Sequence, residues 1–566
     1  MPIHRFSRTS SARLQPSSPS RWTRIALVSF AFMSPPAVAA QEDRHSHPAA
    51  EKLGAVSFPN SGAVSAQPDF LRGLALLHNF DYDAASRAFR SAQQRDPSFA
   101  IAYWLDALTF SHMLWNEEDL SAARAALGRL GADRAARLAK AKTPRERAYG
   151  AAVEAFFTDT TEAARTRAFA DSMRSVAAAF PTDLEAQAFA ALATMLAAEH
   201  VGVFGEANRL SLVAASYADR VFRAQPNHPG AAHYLIHAYD DPTRAAKGLD
   251  AARAYARIAP SSEHAQHMPS HIFVALGYWD DAAHSNENAW KASRAHVAAE
   301  HAPATDLDFH TLNWLTYAYL QQGRYRAARI LIDSARLALA RSAAVGFDQP
   351  DARFAESQLQ FKYMRETGDW KAWAVQPFDT TELHLPSTAT LRAQRMAFGH
   401  VLETAIIHAM RGDTTPVSII ARRMRGQIAQ RGGTVAPLER APAAMFDALI
   451  LRARGDRDAA INVLLKAETV ADSVPPVGPV ALLPVHELVG AMLFDAGRYP
   501  EAAAAYTRAL AYAPNRSAAL IGLALSQRRA KNVAASDTTY ARLRANWSHA
   551  DPPVLAQLPK SGTRSP

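Results

Sequence analysis

The chain has 566 residues, 49% hydrophobic and 20% charged, with a formal charge of +9 and no cysteine. That is more material than one compact core organises, so several domains or a repeat architecture must divide it. The missing cysteine excludes disulfides, thiolate metal sites, cysteine nucleophiles and lipid attachment through a terminal cysteine, so any transition metal must be held by histidine and carboxylate.

Residues 1–40 read as a signal peptide. Arg5, Arg8, Arg13, Arg21 and Arg24 precede the apolar run Ile25–Met33, and small residues follow in Ala37-Val38-Ala39-Ala40. Cleavage near Ala40 predicts a periplasmic or secreted chain. It also removes five arginines and no acid, which takes the charge from +9 to +4. With no Lys/Arg block interleaved with aromatics, nucleic acid is not an expected partner. No later run reaches the roughly 18 apolar residues of a membrane span, so no integral membrane association is expected after cleavage. Residues 41–66 are polar and contain Pro, Gly and Ser, which reads as a linker or N-terminal arm.

From Gln67 the pattern turns helical. In GLALLHNFDYDAASRAFRSAQQRDP, the residues Gly73, Tyr82, Ala85, Phe89, Ala92 and Pro97 fall where two antiparallel helices need small contacts, a packed aromatic and a stop. Gly490, Gly497, Tyr499, Ala502, Tyr506, Ala509 and Pro514 fall in the same register near the other end, in HELVGAMLFDAGRYPEAAAAYTRALAYAP. The pattern resembles the tetratricopeptide repeat, a helix-turn-helix unit of about 34 residues. Phased units fit 66–99, 229–262, 263–296, 309–342, 441–474, 483–516 and 517–550, and weaker ones fit 100–133, 354–387 and 398–431. Residues 134–228 break phase and read as two irregular helical pairs, with a Thr143-Pro144-Arg145-Glu146 capping box. The resemblance implies an all-α, right-handed superhelical solenoid with a concave groove. It divides into N-terminal repeats at 67–228, central units at 229–342 and C-terminal repeats at 343–550, before a disordered tail at 551–566.

The central units carry the distinctive feature. His233 and His237 are four apart, as are His267 and His271, and the second pair follows the first by 34 residues. Residues four apart share a helix face, and neighbouring helices pack about 8–10 Å apart, so two such pairs can converge on one ion. Neutral imidazole suits zinc, copper, nickel or iron. In the repeat family the first helix of each unit lines the groove through positions 2, 5, 9, 12 and 13. The resemblance therefore places His233 and His267 at position 5, His237 and His271 at position 9, and Asp240 and Asp241 at positions 12 and 13. His264 and His310 fall at position 2 of successive units, as further ligands or orienting partners. Pro269 departs from the pattern: the helix either begins late, with Pro269 in its first turn, or kinks there.

Two metal-free readings stand beside this one, because groove histidines also contact a peptide or small ligand, or form internal hydrogen-bond ladders. A hydrolase-like metalloenzyme is a third. The helical zinc-protease motif needs glutamate directly after its first histidine, and Tyr234 and Met268 occupy those positions. Any base would have to be Asp240, Asp241 or Glu263. The resemblance also places His78 and His112 at position 13, and with Trp104 and Trp115 they would form an aromatic ligand surface. Asn313 at position 5 and Tyr317 at position 9 continue the groove, where asparagine clamps peptide backbone in some tetratricopeptide adaptors. A peptide or protein partner is expected on that ground. Residues 297–308, an insertion between phased units, read as a surface loop beside the histidines. Segments HPGAAHYLIHAYDDP and HAQHMPSHIFVALGYW, with LLHNFDYDAASRAF and AYWLDALTF, are also similar to bacterial tetratricopeptide proteins of unsettled function.

Overall fold

Helix boundaries follow local chemistry. Asp81, Asp119, Asp183, Ser262 and Asp308 each accept the backbone N–H three residues on, satisfying a donor that the first turn leaves free. The computed structural model describes residues 51–559 except 116–117, 202–203, 347–349, 376, 382–390, 431–436, 472–477 and 480–481. The expected signal peptide and residues 41–50 lie outside the described residues. Those described form helices and turns with no strand, and none of their helices is long and apolar enough to cross a membrane.

The helices pair as repeats of tetratricopeptide type. Gln67–His78 packs on Tyr82–Arg95, Pro229–Ala238 on Leu249–Ile258, Phe309–Gln321 on Tyr325–Ala344, and Val485–Asp495 on Tyr499–Tyr512. Small residues on the first helix admit an aromatic from the second: a Cβ at Gly73 would lie 2.8 Å from the Phe89 ring, and one at Gly490 2.8 Å from Tyr506. Many of the hairpins turn at a left-handed residue. Gly277, Gly323, Gly455 and Gly497 serve there, whereas the first unit uses Phe80, at φ 59°.

Two long-range contacts grip the central units. On one side the first helix of the chain meets the Pro229–Ala238 helix, where a Cβ at Gly230 would lie 2.5 Å from His78 Nδ1. On the other side the C-terminal repeats return. Trp279 Nε1 donates to the Asn515 carbonyl at 2.8 Å, Ser517 N–H donates to Gln321 Oε1 at 2.9 Å, and Arg516 reaches the Tyr317 hydroxyl at 3.0 Å. Arg516 is 1% exposed and pairs with Glu366 and Glu487.

The two ends of the described chain are more ordered than expected. The arm is built in through buried Leu53 and Phe58, and through Ala55 N–H to the Asn227 carbonyl at 2.9 Å. The tail, expected to be disordered from residue 551, continues as the helix Pro552–Leu555 with Val554 buried, tied by Asp551 N–H to the Gly323 carbonyl at 3.1 Å.

Candidate metal centre

Pro269 shapes the site. The first helix of its unit stops at His267, and a second runs Pro269–Leu276 with the proline in its first turn, where its missing N–H costs nothing. This break turns His264 and His267, on the short Glu263–His267 helix, toward different neighbours. The four paired histidines consequently do not gather round one point. They divide into two triads, His233 with His237 and His264, and His267 with His271 and His310.

In the first triad, His233 Nε2 lies 3.1 Å from His237 Nε2 and 3.0 Å from His264 Nε2. In the second, His267 Nε2 lies 3.2 Å from His271 Nε2, and the His310 ring stands 4.7 Å from that of His267, centre to centre. Ligands about 2.0–2.1 Å from one ion are separated by about 2.9 Å at a right angle and about 3.4 Å at the tetrahedral angle. The observed separations fall between those values.

The far side of each ring explains its orientation. His233 Nδ1 is 2.8 Å from the His78 carbonyl, which only accepts, so Nδ1 carries the proton and Nε2 presents a lone pair. His267 Nδ1 donates at 2.7 Å to Asn286 Oδ1, whose amide nitrogen is committed to the Ala282 carbonyl at 2.8 Å. His271 Nδ1 meets Asp240 Oδ2 at 2.5 Å. With Asp240 ionised, His267 and His271 aim two lone pairs at each other across 3.2 Å with no proton to share. Burial, joined by the charge of Asp241, pushes Asp240 up to about 7 against the pull of His237. A cation beside His271 would restore the carboxylate. Asp240 Oδ1 is buried without a hydrogen-bond partner.

The rings are also held uncharged. Burial, and then the neighbouring imidazoles, keep His233, His264, His267 and His271 well below the ordinary histidine value, and bring His237 down to about 3. His233, His267 and His271 are buried, His237 and His264 half-buried, and His310 is exposed on the open side. Phe80 covers the first triad, its ring 4.3 Å from His233 and stacked at 5.6 Å on His264, and Trp115 stands 5.9 Å from His264. Trp314 backs the second triad, 4.2 Å from His271.

Other candidate residues sit elsewhere. Asp241 closes a turn onto Thr243, accepting its N–H at 2.7 Å. Glu263, which burial pushes up to about 7, lies beside Ser293 rather than in a triad. Trp104 is buried, with its indole N–H on Glu154 at 3.0 Å, so it belongs to the core and forms no ligand surface. His112 instead stacks on Tyr82 at 4.9 Å. Asn313 is half-buried and hydrogen-bonded to Gln358 and Lys362, and Tyr317 is 1% exposed against Arg516, so Tyr317 does not face an open groove.

His78 belongs to a third cluster, with Glu185 and His228. His78 Nε2 reaches Glu185 Oε2 at 2.9 Å, His78 Nδ1 the Tyr234 hydroxyl at 2.7 Å, and His228 Nε2 Glu185 Oε1 at 3.2 Å. His228 Nδ1 accepts the Ala231 N–H at 3.1 Å. Every ring nitrogen there has a partner. Sequence reasoning missed Glu185, Asn286, Phe80 and Trp314; of these only Phe80 carried a signal, an aromatic where other units place glycine.

No family profile and no curated protein matches the chain. Among solved structures, a human IFIT1 dimer with m7Gppp-AAAA is 12% identical, with a TM-score of 0.34 over 80% of this chain and 90% of that one. A Naa15/Naa10 complex bound to HypK-THB is 12% identical, with a TM-score of 0.22 over 86% and 76%. The P58(IPK) TPR domain is 11% identical, with a TM-score of 0.19 over 83% and 99%.

Proposed function

We propose that this protein is an exported helical-repeat protein that binds transition-metal ions, one in each histidine triad, on a frame suited to a protein partner. The observation that carries the reading is the pair of converging nitrogen sets, each within 4.8 Å and holding neighbours 3.0–3.2 Å apart, in which outer nitrogens of His233, His267 and His271 rest on His78, Asn286 and Asp240. Ligating histidines are oriented in this way by carbonyl and carboxylate partners. Three neutral nitrogens and no thiolate suit copper or zinc best, with nickel and iron next.

Three protein ligands leave a coordination position open, the arrangement of catalytic rather than structural sites. That observation favours a second reading, a metal-dependent enzyme built on the same histidines. A metal-free peptide groove fits less well, because Asn313 and Tyr317 are engaged internally.

Elemental analysis of protein purified without a histidine tag tests the proposal. Wild type should carry about two ions per chain, and His233→Ala/His237→Ala about one. Absence of metal both as purified and after reconstitution with copper or zinc would overturn it.

A further inference from the structure

We infer that the two triads work as one binuclear unit, its ions joined by a single small anion such as hydroxide. The inference rests on the metal reading above and adds that the sites are not independent.

The triads share their supports. His264 and His267 lie three residues apart on one five-residue helix yet serve different triads, with ring centres 6.3 Å apart. His237 of the first triad and His271 of the second are 5.9 Å apart. Asp240, at the end of the helix that carries His233 and His237, holds His271 at 2.5 Å. The first triad's helix thus sets a ligand of the second. Each ion would lie roughly 3 Å from the centres of its own rings. Ring gaps of 5.9 and 6.3 Å set the two triads side by side, and a one-atom bridge asks that their ions stand about 3.5–4 Å apart.

Charge balance calls for that bridge. Six imidazole ligands bring no charge, Asp240 is the acid hydrogen-bonded to a triad nitrogen among the described residues, and Asp308 acts on His267 and His310 from further away. Two divalent cations would exceed the charge of those two carboxylates in a site covered on one side by Phe80 and Trp314. Buried charge needs a counter-charge. His237, His264 and His310, the less buried members, leave the open side where a small anion enters.

Copper(II) gives the decisive readout, because two ions joined by one bridging atom couple their spins into a silent pair while separate ions each give a full signal. Copper bound per chain is measured by elemental analysis and unpaired spins by integrated electron paramagnetic resonance. Wild type should hold two coppers and show fewer than one spin for every five. His237→Ala and His310→Ala each remove a less buried ligand, and each variant should hold about one copper with one spin per copper. Helical content by circular dichroism confirms that these variants fold. Two coppers with two spins in wild type would overturn the binuclear inference and leave the metal reading standing, whereas one copper only would overturn the inference and confine the metal reading to a single triad. No bound copper would overturn both.

Discussion

Three clusters of this fold place buried histidines within ligand distance of one another, yet two of them differ in kind from the third. Around Glu185, every nitrogen of His78 and His228 has a donor or acceptor of its own, and the carboxylate lies between them. Burial pushes Glu185 up, but the two imidazoles prevail and hold it well below the usual carboxylate range. In the triads the outer nitrogens of His233, His267 and His271 are satisfied and their inner nitrogens face other imidazoles. Proximity of histidines therefore does not define a metal site. What defines it is a shared vertex toward which partners on the far side of the rings turn several imidazole nitrogens.

Acidification should separate the two kinds of cluster most widely. In the metal-free protein the triad histidines stay neutral while the unfolded chain protonates them near 6.5, so the unfolded state binds more protons and stability rises with pH. That stability is complete above about 6.5 and is lost as pH falls toward the folded values, about 3 for His237. His233, His267 and His271 together should cost on the order of 4 kcal/mol per pH unit below 6. The depressed Glu185 also loses stability on acidification, but only from its unfolded value near 4.5 downward. Asp240 and Glu263, raised to about 7, act the other way over the same range. Thermal unfolding of chelator-treated protein at pH 7.5 and 5.5 is therefore compared between wild type and His237→Ala, and an identical pH dependence in the two would contradict the neutral-triad picture.

Breaking the satisfied cluster comes next. Glu185→Ala strands two buried imidazoles and should destabilise the fold by about 3–5 kcal/mol in denaturant titration, with the metal bound per folded molecule unchanged. A loss of metal instead would mean that this cluster is itself a site. Asp240→Asn should act the other way, weakening metal affinity about 10–100-fold with a smaller effect on metal-free stability; competition with a chromophoric chelator measures it. The smallest effect is expected from Tyr234→Phe, which removes one hydrogen-bond partner of His78 and should cost about 1–3 kcal/mol. Unaltered metal content in that variant would sharpen the contrast, and a change would blur it.

The repeat was legible because its signals are local: Gly73 against Phe89, Gly490 against Tyr506, and turn glycines such as Gly497. The spacing of His233 with His237, and of His267 with His271, marked the right stretch. Their grouping was not legible, because it depends on how far Pro269 turns the Glu263–His267 helix relative to its neighbours. Nor were the supports legible. The carbonyl that fixes His233 comes from His78, 155 residues earlier, and Asn286 comes from the second helix of its unit, which the repeat pattern turns away from the groove. Phe80 was visible as a departure. Where Gly277 and Gly323 turn at no steric cost, the first unit accepts a strained phenylalanine at about 1–3 kcal/mol, and its ring lies on the first triad.

The grip on the central units from both sides also bears on the order of events during synthesis. His233 finds its anchor 155 residues upstream, and Gln321 is tied to Ser517, 196 residues downstream. A growing chain displays its histidines well before the repeats that hold Gln321 in place have emerged. Closing such long loops carries an entropic cost that local helix pairing does not. The partners that turn the rings, the His78 carbonyl, Asp240 and Asn286, all precede those repeats in the chain, so the histidines can be oriented before the far end of the solenoid docks.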